Sequence, residues 1–448
     1  MKDFTTGKIS IPLLAFAVPM LLGNLFQQLY NLVDAVVVGY FISGDALAAV
    51  GISMSMVILL TSMLIGFTTG AAVLVAQFFG AKQFDKLKRT VSVSIIFLAG
   101  LSLLLSLVGV ILAPQLLWLF GTDDYIFDDA LMYMQILMAG LVCMVFYNMY
   151  TAYMRALGET RRPLYILVLS VVLSGILSVY LVAVAGLGVF GAAVSTVFSM
   201  LLAAVLSYFY AKKKLPILMV EKLTFDKELF WLIIKYGAPA ALQMSLVSFA
   251  HLLITWLIND SFGAPAMAAI TAVARIDGLA TMPVATLSLA VSTFVAQNMG
   301  ARLEDRAIKG FKIATGYMLI ASVVMTGVLM LLSSQVLSLF VAYDDPNYLE
   351  IIGIGQNYMN IMVIFYFLFA FLFAFNGFFR GVGDAVIAMV FPVLSLTLRT
   401  VSAYGLVLFA GMGPEALAWS IPIGWGISSF ASWIYYRKRL WVGKVATE

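Results

Sequence analysis

Apolar stretches broken by polar or Gly/Pro clusters divide this chain into twelve predicted helices: 11–40, 46–72, 90–113, 130–155, 163–185, 189–210, 230–259, 266–292, 310–332, 351–378, 387–410 and 416–437. A membrane-spanning helix needs about 20 apolar residues, and each stretch meets or nears that length. The connections after helices 1, 5, 7 and 11 are only a few residues long, and no stretch is left over for a soluble domain. The start, Met1 to Ser10, is too polar for a signal peptide's apolar core, so the first helix is expected to stay in the mature protein.

The polar positions between the stretches are not random in sign. Every second loop is basic: Lys82, Lys86, Lys88 and Arg89; Arg161 and Arg162; Lys212 to Lys214 with Lys222 and Lys227; Arg302, Arg306 and Lys309; Arg437 to Arg439. The alternate loops carry no Lys or Arg, but hold Asp45, Asp123, Asp124, Asp128, Asp129, Asp260, Asp344, Asp345 and Glu415. Cytoplasmic loops collect Lys and Arg. The expectation is a multi-pass protein of the cell membrane with both termini in the cytoplasm.

Composition closes off the other classes. Of 448 residues, 63% are hydrophobic and 11% charged, with a mean hydropathy of +1.04. Soluble proteins are about half apolar and about a quarter charged. A soluble enzyme, a disordered chain and a nucleic-acid binder are excluded. The net charge of +4 is read as a topology signal rather than the mark of an anionic partner. One cysteine, Cys143, leaves no intramolecular disulfide and no multi-cysteine metal site. Seven Trp and 20 Tyr suit belts at the two membrane interfaces.

The two halves of the chain resemble each other. Val75-Ala76-Gln77 and Gly80-Ala81-Lys82 recur as Val295-Ala296-Gln297 and Gly300-Ala301-Arg302, an offset of 220. Pro19 falls on Pro239, Ala48-Ala49 on Ala268-Ala269 and Leu119-Phe120 on Leu339-Phe340 at the same offset. Beyond the second outer loop the offset becomes 225, matching Tyr133-Met134 to Tyr358-Met359, Arg155 and Gly158 to Arg380 and Gly383, and Gly186 and Gly188 to Gly411 and Gly413. Six helices per half is an even number, so both halves enter from the same side and the repeat is parallel, about an axis along the membrane normal. The expected organisation is an N-terminal six-helix bundle over 1–210, a basic cytoplasmic linker over 211–229 and a C-terminal bundle over 230–448, enclosing a cavity that opens to either side. That is transporter architecture. No filter-like loop suggests a channel, one histidine makes a membrane enzyme's His/Asp/Glu cluster implausible, and no phosphate-binding G-x-x-x-x-G-K-[ST] loop is present. An ion gradient is therefore the expected energy source.

Few residues can carry chemistry inside the spans. Arg275, Arg399, Asp34 and Asp277 lie deep, and His251 lies in helix 7. A charge at the bilayer centre costs a few kcal/mol or more, so such groups face the bundle interior and have partners. Asn24, Gln27, Asn31 and Asp34 form one arc of helix 1, about 80° wide at 100° per residue. A carboxylate in such a row can hold a proton or a sodium ion and compete with a cationic solute; the plainer reading is a carboxylate locked to a neighbouring helix. Pro19 removes a backbone hydrogen bond and permits a bend, or makes a static kink. His251, Arg275 and Asp277 share a depth in the outer half of the second bundle. Either they and Arg399 reach a substrate cavity, or they form a structural network joining helices 7, 8 and 11. Asn148 and Asn360 line the cavity or bond between helices.

Together these features resemble the multidrug and toxic compound extrusion (MATE) family. The residues that carry the resemblance are Pro19, Leu29-Tyr30-Asn31-Leu32-Val33-Asp34 and Gly39 in helix 1, the Val-Ala-Gln-x-x-Gly-Ala-Lys/Arg strings, and Arg155-Ala156-Leu157-Gly158-Glu159-Thr160. The resemblance covers essentially the whole chain. It implies an all-α polytopic membrane protein, a V-shaped pair of six-helix bundles, that exports amphipathic, often cationic or aromatic, small molecules against inward H⁺ or Na⁺. It also implies that Asp34 is the ion-coupling aspartate and Pro19 the bending proline of helix 1. The family's sodium-coupled bacterial branch adds acids in helices 7 and 10, where this chain is apolar near Val247 and Phe369; its archaeal type adds one in helix 6, and 189–210 has none. Asp277 is the candidate substitute. No cofactor beyond the transported ion, no nucleic acid, function as a monomer and no enzymatic activity are expected. The competing expectations are a flippase for lipid-linked oligosaccharide, which would favour a basic cavity, and a channel or membrane signalling protein.

Overall fold

In the computed structural model, residues 2–119 and 121–446 are described, Asn31, Val33 and Leu59 by their backbone alone. Among them there is no strand. In a bilayer every backbone N–H and C=O must be satisfied within its own segment, so apolar runs of this length become helices. Fourteen α-helices follow: α1 (Ser10–Phe41), α2 (Gly44–Gly80), α3 (Phe84–Leu119), α4 (Asp124–Ala139), α5 (Leu141–Ala156), α6 (Arg161–Val179, continued by a π-helical turn over Tyr180–Val184), α7 (Gly188–Lys214), α8 (Lys227–Ala280), α9 (Met282–Gly300), α10 (Glu304–Leu337), α11 (Tyr348–Ile364), α12 (Tyr366–Val382), α13 (Ala385–Leu408) and α14 (Glu415–Arg437).

These reduce to the twelve expected spans, with corrections. The fourth and tenth spans are not continuous: α4 and α5 meet at 48° and α11 and α12 at 53°. The breaks fall at Gly140 and Phe365, which are equivalent at the 225 offset. The seventh span and the first part of the eighth are joined within α8 with no loop, interrupted at Gly263, whose φ of 73° is left-handed, and the eighth is divided again at Thr281, between α8 and α9. The second and eighth spans also run on to Gly80 and Gly300, well past the predicted ends, because nothing in Val75-Ala76-Gln77 or its repeat stops a helix.

The repeat extends to the caps. Lys82 and Arg302 take φ of 57° and 59°, and behind them Gln83 N–H donates to Phe78 O at 2.9 Å and Leu303 N–H to Asn298 O at 2.8 Å. Gly158 and Gly383 take φ of 77° and 100°, and Glu159 N–H and Asp384 N–H bond back to Met154 O and Phe379 O at 2.8 and 2.9 Å. These are Schellman closures, which satisfy the last carbonyls of a helix. The same stop signal is used at the same place in each half.

The described residues divide into two compact units, the second of which takes in the start of α1. One holds Leu14–Ala241 with the described residues before Gly7; the other holds Gly7–Leu13 and Leu242–Ala446. In the first unit α2 packs on α3, α4 and α5, and α7 on α4, α5 and α6. Val38, Ala49, Ala113, Tyr133, Met134, Met138 and Ala192 make its core. In the second, α9, α10, α13 and α14 all pack on α12, around Val273, Tyr358, Met359, Val363 and Ala418. Tyr133-Met134 and Tyr358-Met359, equivalent in the repeat, are buried in both.

Candidate functional site

The first unit keeps one acid inside. Asp34, on the last third of α1, is only 7% exposed. Four residues earlier, one helical turn away, Tyr30 is buried too, and its hydroxyl lies 2.9 Å from Thr196 Oγ1 of α7. Ser174 of α6 donates to Tyr30 Oη at 3.4 Å and to Ser195 O at 3.2 Å. Tyr133 of α4 completes the group. Its buried hydroxyl interacts with Asp34 and Thr196 but makes no hydrogen bond of good geometry. Tyr30 and Tyr133 thus stand beside one carboxylate, their hydroxyls tied onward to Thr196 and, for Tyr30, Ser174, with no cation against it among the described residues. Hydroxyls can turn either a proton or a lone pair toward a neighbour, so the arrangement can receive a proton or a bare cation without rebuilding.

The second unit gathers its polar groups differently. Tyr366 at the start of α12 donates to Asp277 Oδ1 at 2.8 Å. Arg399 Nη2 of α13 donates to Tyr358 Oη of α11 at 3.4 Å. Asp277, Tyr358 and Arg399 interact electrostatically, and Arg399 also acts on His251. Among the described residues no carboxylate lies within ion-pair reach of Arg399. A small cleft lies beside it, about 180 Å³ with its opening to solvent included, lined by Ala250, His251, Ile254, Leu396, Arg399 and Thr400.

The sequence-derived candidates separate on these contacts. Asp277, His251 and Arg399 come together, joining helices α8 and α13. Arg275 does not join them; it is exposed, and no hydrogen bond or ion pair ties it to the cluster. The polar arc of α1 is also divided: Gln27 is exposed where Asp34 is buried, and the side chain of Asn31 lies outside the described residues. Asn148 donates to Met144 O of its own helix at 2.9 Å, a local bond. Asn360 has a buried Oδ1 with no partner. Pro19 is buried in α1, which stays helical throughout. The residues missed from sequence are the hydroxyls: Tyr133, Ser174 and Thr196 in one unit, Tyr358 and Tyr366 in the other. For two of them a signal existed. Tyr133 and Tyr358 are repeat partners, and each stands beside its own unit's deep charges.

Comparison with known proteins agrees with this fold. The sequence model of the MatE family matches twice, over residues 19–181 and 239–405, and its two starts are Pro19 and Pro239 of the internal repeat. The probable multidrug resistance protein YoeA of Bacillus subtilis (strain 168) is 30% identical over 390 residues, covering 85% of this chain and 83% of its own. The probable multidrug resistance protein YpnP of the same strain is 26% identical over 440 residues, 98% and 97% of the two chains. Among solved structures, a multidrug resistance MATE family transporter in its outward-facing conformation superposes with a TM-score of 0.91 at 21% identity, over 98% of this chain and 97% of that one.

Proposed function

This chain belongs to the MatE family, a family of membrane transporters, and from that premise we propose that it is a secondary active antiporter for amphipathic, often cationic, small molecules. H⁺ or Na⁺ moving inward drives their export. Asp34 is the ion-coupling group, and alternating access exposes it first to one side of the membrane and then to the other. The six-helix halves over 1–210 and 230–448 move as bodies joined by the linker 211–229, and Pro19 is the point at which α1 bends. Asp277 serves as a second ion-coupling position, with Gln27, Asn31, Asn148, His251, Arg275, Asn360 and Arg399 contributing to the substrate path. The chain works as a monomer in the cell membrane, with both termini in the cytoplasm and no resident cofactor.

The observation that carries this reading is Asp34. It is a carboxylate 7% exposed inside an apolar unit, beside Tyr30 and Tyr133, with no cation against it among the described residues. A buried charge without a counter-charge is costly, so occupancy by a proton or a metal cation changes the energy of the state that holds it. An ion can bias two states only by its differential affinity for them, and a group whose surroundings are this apolar supplies such a difference. The names of the relatives, multidrug resistance proteins, support the substrate class.

The test is efflux from proteoliposomes under imposed pH or Na⁺ gradients, against a panel of cationic, neutral and anionic dyes. Gradient-driven efflux of a cationic dye is expected. Asp34→Asn should abolish it while leaving the amount of folded protein unchanged. Undiminished transport by that variant would remove Asp34 from the coupling mechanism.

A further inference from the structure

The cavity of the second unit stands where the first unit keeps its acid. Subtracting the repeat offsets of 220 and 225 places His251 at the position of Asn31, Ile254 at that of Asp34, Tyr358 at that of Tyr133 and Arg399 at that of Ser174. The two units therefore carry different chemistry at equivalent positions. In the first, a carboxylate stands beside Tyr30 and Tyr133, and the Tyr30 hydroxyl meets Thr196 and Ser174. In the second the carboxylate has become Ile254, while a serine has become arginine and an asparagine histidine.

Among the described residues the arginine has no counter-ion. Arg399 lies fourteen residues into α13, a helix of 24 residues, so its guanidinium sits deep in the span. Its Nη2 reaches only the neutral Tyr358 hydroxyl, at a long 3.4 Å. Asp277, on which Arg399 acts electrostatically, is held by Tyr366 at 2.8 Å and makes no ion pair with it. Arg399 Nε and Thr400 Oγ1, both buried, have no hydrogen-bond partner. Buried charges are paired or coordinate an ion, and buried polar groups are bonded. Here two unsatisfied groups and an imidazole border one space, at i, i+3, i+4 spacing along α13 (Leu396, Arg399, Thr400) and i, i+1, i+4 along α8 (Ala250, His251, Ile254). That space, about 180 Å³ with its opening to solvent included, is far too small to enclose a drug-sized molecule, which takes roughly 300–1,000 Å³. At most one small polar group can enter it.

We propose that this cavity is an anion subsite: it takes the carboxylate of an amphipathic solute against Arg399, Thr400 and His251, with the solute's apolar part along Ile254 and Leu396. A carboxylate accepts paired N–H bonds from a guanidinium and a further one from the threonine hydroxyl, so it completes every unfilled group at the site. That the carboxylate belongs to a transported solute rests on the exporter reading above; that the site takes an anion does not.

Binding to the purified full-length protein in lipid nanodiscs tests this apart from transport. The probes are a rhodamine dye with a free carboxylate and its methyl ester, followed by fluorescence anisotropy in gluconate buffer. The acid should bind about tenfold more tightly than the ester, which corresponds to roughly 1.4 kcal/mol. Arg399→Gln and Thr400→Val should each bring the ratio of the two affinities toward one. Arg399→Lys, which keeps the charge without the planar donor pair, should retain part of it and guards against a misfolded Arg399→Gln. Equal binding of acid and ester by the unaltered protein, or a ratio that survives both substitutions, overturns the proposal. Equal binding that chloride perturbs in the unaltered protein but not in Arg399→Gln assigns the site to a free inorganic anion and overturns the solute assignment. A ratio that holds while neither dye is moved by any gradient leaves the anion site standing and defeats the exporter reading instead.

Discussion

At the scale of residues, the two deep acids of this chain differ in how they are held. Asp34 has Tyr30 and Tyr133 beside it and no geometrically sound hydrogen bond from Tyr133, whereas Asp277 accepts one directly from Tyr366 at 2.8 Å. A hydrogen bond to a charged group contributes about 1.5–3 kcal/mol. Tyr366→Phe should therefore weaken the stabilisation of ionised Asp277, and if Asp277 couples ions, half-maximal efflux should need about tenfold different H⁺ or Na⁺. Transport titrated against pH and Na⁺ reads this directly; an unmoved ion dependence with normal folding would make Asp277 a structural residue. Asp34, Asp277, Arg399 and His251 were legible in sequence because a charge in an apolar run is conspicuous. Tyr133, Ser174 and Thr196 were not, because hydroxyl residues are common in spans and only contact distinguishes those that meet Asp34 or its neighbour Tyr30. Arg275 shows the converse. It is as conspicuous as Asp277, two residues away, yet that spacing turns it to another face of the helix.

At the scale of elements, close helix packing sets the position of Arg399. A Cβ at Gly424 of α14 would stand 2.4 Å from Ser395 O and 3.3 Å from Arg399 N of α13, so the two backbones touch where only glycine fits. Gly424→Val should force them apart and destabilise the protein by about 1–3 kcal/mol, the usual cost of overpacking. The expected result is a thermal unfolding midpoint in detergent several degrees lower. Gly426, two residues on, meets nothing nearer than Leu368 Cδ1 at 3.6 Å, and Gly426→Ala should leave the midpoint nearly unchanged. Span count and most boundaries could be read from hydropathy, since a segment in lipid must be apolar and must satisfy its own backbone. The breaks at Gly140 and Phe365 could not. Phe365 is an ordinary apolar residue, and the 53° bend there shows in no periodicity. The break at Gly140 would have pointed to its partner only through the repeat.

At the scale of the whole molecule, the alternation of basic and acidic loops makes a prediction about sidedness. With Cys143 replaced by serine, a single cysteine at Lys213, in the basic end of α7, should react with a membrane-impermeant maleimide only in inside-out vesicles. A single cysteine at Asp344 should react only in right-side-out ones, and the reverse pattern would invert the topology. The sequence by itself determined the class, the span number and the twofold repeat. Burial in a bilayer is a one-dimensional property of each segment, and an offset of 220 changing to 225 is arithmetic on residue numbers. Family membership was also within its reach, since those short strings hold their order along the chain. Tertiary structure alone decided which hydroxyls meet Asp34 or its neighbour Tyr30, that Arg399 turns to Tyr358 and His251 rather than pairing with Asp277, and that a small cleft lies there. These are relations between helices far apart in sequence, fixed by how side chains fill the space between neighbours. No single helix contains that information.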